Sequence, residues 1–271
     1  MWDGHCHTEL CRHGKQESTI QMIEQALDLG FTKLSLTEHA PLPLGVVSEK
    51  LMPEFTLMAD EMEEYLSFAQ DMKNYFSPKI EILIGLEVDY LHAHEDYTIE
   101  LLDQYGPRLD DSILSLHFMP GSQDYSMIDY SPEVMEDSLI EPYGGGENLI
   151  EAYWKFFTKM ILSDLGPHKP KRLGHAGIIY KFAKLFEFGN LAEPGVSFFQ
   201  DMAKLLQNGN YSLDDNYAGV IYKHCGRPYL PQGLRSLAEQ LQIPLIYGSD
   251  AHGISAVQTS YQAYEDHRQH D

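Results

Sequence analysis

Short apolar runs recur along this chain, each followed by a longer stretch of helical period, and that alternation most limits the folds open to it. Runs at Trp2–His7, Lys33–Glu38, Ile80–Val88, Asp111–Phe118, Arg172–Ala176, Ser212–Asn216 and Pro244–Ser249 have the length and flanking residues of strands. Between them, Ser18–Leu29 carries Ile20, Ile23, Ala26 and Leu27 on one face, with Gly30 as the stop. Further helical stretches fall near Glu54–Tyr75, Leu149–Leu165, Gly195–Leu206 and Gly233–Leu241. Strands alternating with helices build βα units around a parallel sheet. Seven such units in 271 residues fit an α/β fold of a single domain, a closed or nearly closed TIM-type barrel; an open doubly wound sheet is the alternative. No repeat, low-complexity tract or linker divides the chain, so residues 1–271 read as one unit. The polar YEDHRQHD at the end reads as a flexible tail from about residue 263.

In such barrels the chemistry sits at the C-terminal ends of the strands, so reactive residues are sought there. Strand one ends in DGHCH, giving His5 and His7. In an extended segment these share a face, and Cys6 faces away. The following loop adds His13. Strand two ends in LTEH (His39), strand three in IGLEVD (Glu87), strand four in SLHF (His117), strand five in LGHAG (His175) and strand seven in YGSDAH (Asp250 and His252). Each of these is a weak signal alone, because a single core histidine is more often a satisfied structural residue. Together they are not: six of the seven runs end in a metal-type residue, and burying such groups unpaired is costly. A metal cluster relieves that cost, and mixed imidazole and carboxylate donors suit Zn, Mn or Fe rather than Ca or Mg. A second pair, His92 and His94, lies in YLHAHED beyond strand three and reads as a solvent-exposed loop. His168, His224, His267 and His270 lack partner spacing. Cys6 and Cys11 read as structural thiols, with a place lining the pocket as the alternative for Cys11.

Composition bears on the partner. The formal net charge is −22, which argues against nucleic acid, where affinity comes mainly from Lys and Arg on phosphates. Three cysteines without regular spacing argue against a disulfide framework. MWDGHCHTEL lacks the basic start and apolar run of a signal peptide, and no run approaches the ~20 apolar residues of a membrane span. A cytoplasmic protein without membrane contact is expected.

DGHCH, His13, TEH, GLEVD, SLH, GH and GSDAH, in this order from Asp3 to His252, resemble the motifs of the polymerase and histidinol phosphatase (PHP) superfamily. Length, EVDY, SLHF and LDDNYAG look most like its histidinol-phosphate phosphatases. The resemblance implies a distorted (β/α)7 barrel with three divalent transition-metal ions, Zn, Mn or Fe. By that likeness His5, His7, Glu87 and Asp250 hold one ion. Glu87 is shared with a second on His117 and His175, and His13, His39 and His252 hold the third. Such ions lower the pKa of bound water toward ~7, so in-line attack of hydroxide on phosphorus is the expected reaction. The geometry further suggests Asp250 as proton acceptor, with Glu87 as the bridging carboxylate. Lys181 and Arg227, with Asn216, are the candidates for the phosphate, against surface solvation as the plain reading of the two cations. Asp89, Asp129 or the pair Asp214 and Asp215 are candidates for an acidic rim facing a cationic substrate. A phosphomonoesterase acting on L-histidinol phosphate leads. A PHP-type enzyme acting on nucleotides or nucleic acid ends, and a metal-free binding module, are the alternatives. Oligomeric state is not legible.

Overall fold

The computed structural model describes residues 1–47, 52–122, 124–186 and 194–268. Its strands are β1 (Trp2–Cys6), β2 (Lys33–His39), β3 (Glu81–Asp89), β4 (Ile113–Ser115), β5 (Phe118–Pro120), β6 (Tyr125–Met127), β7 (Arg172–Leu173), β8 (Ser212–Asn216) and β9 (Leu245–Gly248). Its α-helices are α1 (Thr19–Asp28), α2 (Met52–Phe55), α3 (Met62–Phe76), α4 (Glu95–Tyr105), α5 (Pro132–Met135), α6 (Gly146–Leu162), α7 (Val196–Asn208), α8 (Ala218–Ile221), α9 (Gln232–Gln240) and α10 (Ile254–Arg268). Seven strands pair in the order β1-β2-β3-β4-β7-β8-β9, all parallel.

The ring closes just past the strand ends. Cys6 bridges Ala251, the His7 N–H donates to the Ala251 carbonyl at 3.0 Å, and the Asp250 N–H donates to the His5 carbonyl at 2.8 Å. The buried carboxylate of Asp3 reinforces the seam by accepting the Ser249 N–H at 3.0 Å and the His5 N–H at 3.2 Å. This is the distorted seven-stranded barrel anticipated from the sequence. The distortion is local: a three-residue step of β1, Asp3 to Cys6, faces the two-residue step Leu34 to Leu36 of β2, which is a bulge.

Helices cover the barrel with their apolar faces inward. Tyr65, Leu66, Ala69 and Met72 of α3 and Tyr153, Trp154 and Phe157 of α6 are all buried in one core cluster. Tyr65 also satisfies its hydroxyl, donating to the Gly85 carbonyl at 2.6 Å with the Leu36 carbonyl 2.9 Å away. Beyond β4 the chain folds back as the antiparallel ribbon β5–β6. A smaller apolar cluster of Leu42, Val46, Val47, Leu91, Phe118 and Met127 ties that ribbon to the loop after β2.

Several elements depart from the sequence reading. The fourth and fifth barrel strands are three and two residues long, because the chain leaves the sheet before His117 and His175. The stretch Glu54–Tyr75 divides into the end of α2, a 3₁₀ turn at Ala59–Glu61 and α3. His92 and His94 lie in the turn between β3 and α4, and α4, a helix not read from the sequence, follows with Glu95 and Asp96 favourably placed in its first turn. The C-terminal segment is not a tail from residue 263. It stays helical to Arg268, because the Tyr264 ring packs on Tyr247 and Tyr217 with centroids 4.9 and 5.1 Å apart. Residues 269–271 lie outside the described residues. Among the described residues no helix is long and apolar enough to cross a membrane.

Candidate metal centre

Glu87, at the last turn of the pleat in β3 and 1% exposed, is the hub of a buried cluster. Its Oε2 lies 3.3 Å from His5 Nε2, 3.5 Å from His7 Nε2 and 3.2 Å from His39 Nδ1. Its Oε1 lies 2.8 Å from His175 Nε2 and 3.7 Å from His117 Nε2, and accepts the Ser115 hydroxyl at 2.7 Å. Asp250 Oδ1 stands 3.7 Å from His5 Nε2 and 3.4 Å from His7 Nε2. The bulge in β1 does not undo the pairing of His5 and His7: both rings face Glu87, and Cys6 packs into the apolar core.

Three of the histidines carry a carboxylate on the opposite ring nitrogen. Asp214 Oδ2 lies 2.8 Å from His5 Nδ1, Glu38 Oε1 3.3 Å from His7 Nδ1, and Asp89 Oδ1 2.9 Å from His117 Nδ1. A carboxylate can only accept, so each Nδ1 carries its hydrogen and, in the neutral ring, Nε2 offers its lone pair toward the centre. Glu38 is held in turn by the Thr8 hydroxyl at 2.6 Å and the Thr8 N–H at 3.0 Å. The sequence does not mark any of these carboxylates for this role. Each sits one or two residues from a ligand candidate, or on a neighbouring strand, where an acidic residue has no distinctive spacing. Asp89 and Asp214 are therefore interior supports and not the acidic rim considered for them. Asp215 faces the other way and pairs with Arg235.

Electrostatics follow from this crowding. Burial disfavours the charge on Glu87 and Asp250, but the histidines around them, His5 first, outweigh it and hold both carboxyls well below the usual range. Burial likewise opposes protonation of His7 and His117, yet Asp250 and Glu38 bring His7 up to about 9, and Asp89 and Glu87 bring His117 up to about 10. His252 goes the other way, to about 3, through burial and then the neighbouring His7.

The outer part of the cluster is formed by His13, His39 and His252. His13 Nε2 is 2.9 Å from His252 Nε2, and the His13 and His39 ring centroids are 5.1 Å apart. His13 is exposed and His39 is buried. The eight strand-end candidates and His13 of the loop thus gather at one mouth of the barrel. His92 and His94 do not join them: His92 sits 3.3 Å from Lys159 Nζ and 3.6 Å from Glu95, and His94 occupies the position before α4 without a side-chain cap. Lys181 reaches the rim, with Nζ 2.8 Å from Asp129 Oδ2, and Asp129 helps hold its charge against burial. Arg227 lays its guanidinium over the Tyr180 ring at 4.5 Å. Asn216 donates to Asp214 Oδ2 at 3.0 Å and to Asp250 Oδ2 at 3.2 Å, so it supports Asp250 in addition to any contact with substrate.

The donors fit metal ions. His5 Nε2, His7 Nε2, His39 Nε2, His175 Nδ1 and Glu87 Oε2 are buried and make no hydrogen bond, a costly arrangement without a further partner. Donors bound at about 2.1 Å to one tetrahedral ion stand about 3.4 Å from each other, close to the separations around Glu87. Among the described residues, His5, His7 and Glu87, and likewise His39, Glu87 and His117, bring their donor atoms within 4.8 Å of one another.

The sequence profile of the PHP domain matches residues 3–216. The chain belongs to the PHP family. A curated relative, the histidinol-phosphatase of Bacillus subtilis, is 34% identical over 262 residues, 97% of each chain. A structure from Listeria monocytogenes, described as a candidate histidinol phosphatase, superposes with a TM-score of 0.93 at 34% identity over 97% of this chain and 100% of its own. The histidinol phosphate phosphatase of Lactococcus lactis, solved with zinc, L-histidinol and phosphate, aligns with a TM-score of 0.69 at 16% identity over 98% and 92%. That last likeness is one of fold.

Proposed function

We propose that this PHP protein is a metal-dependent phosphomonoesterase that hydrolyses L-histidinol phosphate to L-histidinol and phosphate in histidine biosynthesis. The observation that carries the metal chemistry is the set of buried imidazole and carboxylate atoms left without hydrogen bonds around Glu87. The substrate rests on the 34% identity, end to end, with the Bacillus histidinol-phosphatase. Three divalent ions, Zn, Mn or Fe, are assigned to His5, His7, Glu87 and Asp250, to Glu87, His117 and His175, and to His13, His39 and His252. When bound they supply positive charge for the phosphate and lower the pKa of water toward ~7.

The chain's own side chains do the rest. Asp250, ionised and held by Asn216, accepts a proton from the attacking water. Asp214, Glu38 and Asp89 fix the rings of His5, His7 and His117. Lys181 and Arg227 take the phosphate oxygens, with Asn216 behind them. Asp129 is the acidic rim facing the ammonium of the substrate: its Oδ2 pairs with Lys181 at the rim, and its Oδ1 is buried and makes no hydrogen bond, whereas Asp89 and Asp214 support histidines of the cluster and Asp215 pairs with Arg235. We place the enzyme in the cytoplasm as a single domain spanning residues 1–271.

The test is phosphate release from histidinol phosphate, a nucleoside monophosphate and an oligonucleotide, side by side. Histidinol phosphate should react with kcat/KM on the order of 10⁴ M⁻¹s⁻¹ or better, and the others at least about tenfold worse. An oligonucleotide turned over as well or better would replace this reading with a nuclease.

A further inference from the structure

The outer part of the cluster contains a donor that the ligand sets above leave unused. Cys11 lies in the turn after β1, where its N–H donates to the Thr8 carbonyl at 3.1 Å and its carbonyl accepts the Gly14 N–H at 3.1 Å. It is only 3% exposed. A buried cysteine kept for packing belongs among aliphatic groups, and this one faces imidazoles. Its Sγ is 3.5 Å from Nδ1 and 3.6 Å from Nε2 of His13. The sulfur and ring nitrogens of His7, His39 and His252 also lie within 4.8 Å of one another. Of those rings, His39 is assigned to the outer ion alone, and its buried Nε2 makes no hydrogen bond, a sign that something beyond the protein belongs beside it. Donors bound at about 2.3 Å (S) and about 2.0–2.1 Å (N) to one tetrahedral ion stand about 3.5 Å apart, and the Cys11–His13 separation agrees.

We infer that Cys11 is a thiolate ligand of the outermost ion, beside His13, His39 and His252, and rests there on the metal-cluster reading above. Binding replaces the S–H bond with an S–metal bond, and the proton is released to solvent. A site with three imidazoles and one thiolate is softer than the two around Glu87. It therefore favours zinc over manganese, and the cluster would load different metals at its outer and inner positions.

The test is X-ray absorption at the zinc edge on the metal-loaded protein, with a cobalt(II)-substituted sample alongside. Wild type should show a sulfur shell at about 2.3 Å and a near-ultraviolet thiolate-to-cobalt charge-transfer band. Cys11→Ser should lose both features together with one equivalent of metal, while Cys225→Ser keeps them. Metal-loaded wild type showing only nitrogen and oxygen neighbours, with no charge-transfer band, overturns the thiolate ligand and leaves the phosphatase reading intact. A wild-type protein that takes up no metal defeats both. Because the wild-type spectra decide, the result does not depend on Cys11→Ser folding.

Discussion

Asp250 adopts a backbone φ of +52°, left-handed and uncommon outside glycine, although Asp tolerates it better than most residues. Strain of this kind persists where the surroundings fix the residue. Here the fixing groups are the His5 carbonyl, which accepts its N–H, and the Asn216 amide on Oδ2. The carboxylate is thereby aimed between His5 and His7 and stays ionised, as the proposed role of proton acceptor requires. Asp250→Asn keeps the size and one coordinating oxygen and loses the basic site. Its kcat should fall by about 10²–10⁴-fold, with metal retained and KM changed less. Glu87→Gln should behave differently, because Glu87 touches five imidazoles and its weakening should first cost bound metal. Metal counts and steady-state kinetics on both variants make the comparison. Full kcat in a metal-replete Asp250→Asn would remove the proton-acceptor role, and equal metal loss in both variants would leave only a ligand role for Asp250.

At the scale of the elements, the strand ends were the legible part of the sequence. A polar residue closing an apolar run has no packing explanation, and repetition of that anomaly located the mouth of the barrel. What stayed hidden had no such contrast. Asp111–Phe118 is apolar enough to read as one strand, although the sheet keeps only Ile113–Ser115 and the ribbon begins at Phe118. Glu38, Asp89 and Asp214 lie inside strands as ordinary acidic letters, and their pairing with histidines depends on register across the sheet. The tail misread came from composition outweighing the i, i+3 spacing of Tyr261 and Tyr264. The turn after β7 shows how tightly strand ends set ligands. A Cβ on Gly174 would stand 2.0 Å from Ser115 Oγ and 2.9 Å from Ile113 Cγ2, and Ser115 holds Glu87. Gly174→Ala should cost about 1–3 kcal/mol of stability from overpacking and lower metal content by displacing Ser115. Adding Ser115→Ala should recover part of the stability and none of the Glu87 hydrogen bond. Thermal melts and metal analysis of both proteins check this, and a single variant that melts and loads like wild type would show that the contact yields freely.

For the whole molecule, one ring of strands gathers imidazoles and carboxylates whose mutual charges must be balanced by protons or by metal, and the two balances give opposite dependences on pH. Without metal, the carboxylates around them bring His7 up to about 9 and His117 up to about 10, and His5 is also raised, against an ordinary imidazole value near 6.5. A group with a raised folded pKa adds stability that is fully present below 6.5 and is lost as pH climbs through the folded value. His252, lowered to about 3, and His39, lowered well below 6.5, act in reverse: their contribution is present above 6.5 and drains away as pH falls. The lowered carboxyls of Glu87, Asp250 and Asp214 weaken the fold only in stronger acid. The metal-free protein should therefore be most stable near pH 6.5 and lose melting temperature steadily between pH 7 and about 10. With metal bound, deprotonated rings are what the ions require, so affinity and the stability linked to it rise with pH over the same interval. Melting curves of chelator-treated and reloaded protein from pH 6 to 10 should diverge, with the gap widening toward alkaline pH. Parallel curves, or a gap that narrows, would mean that the histidines around Glu87 are not exchanging protons for metal.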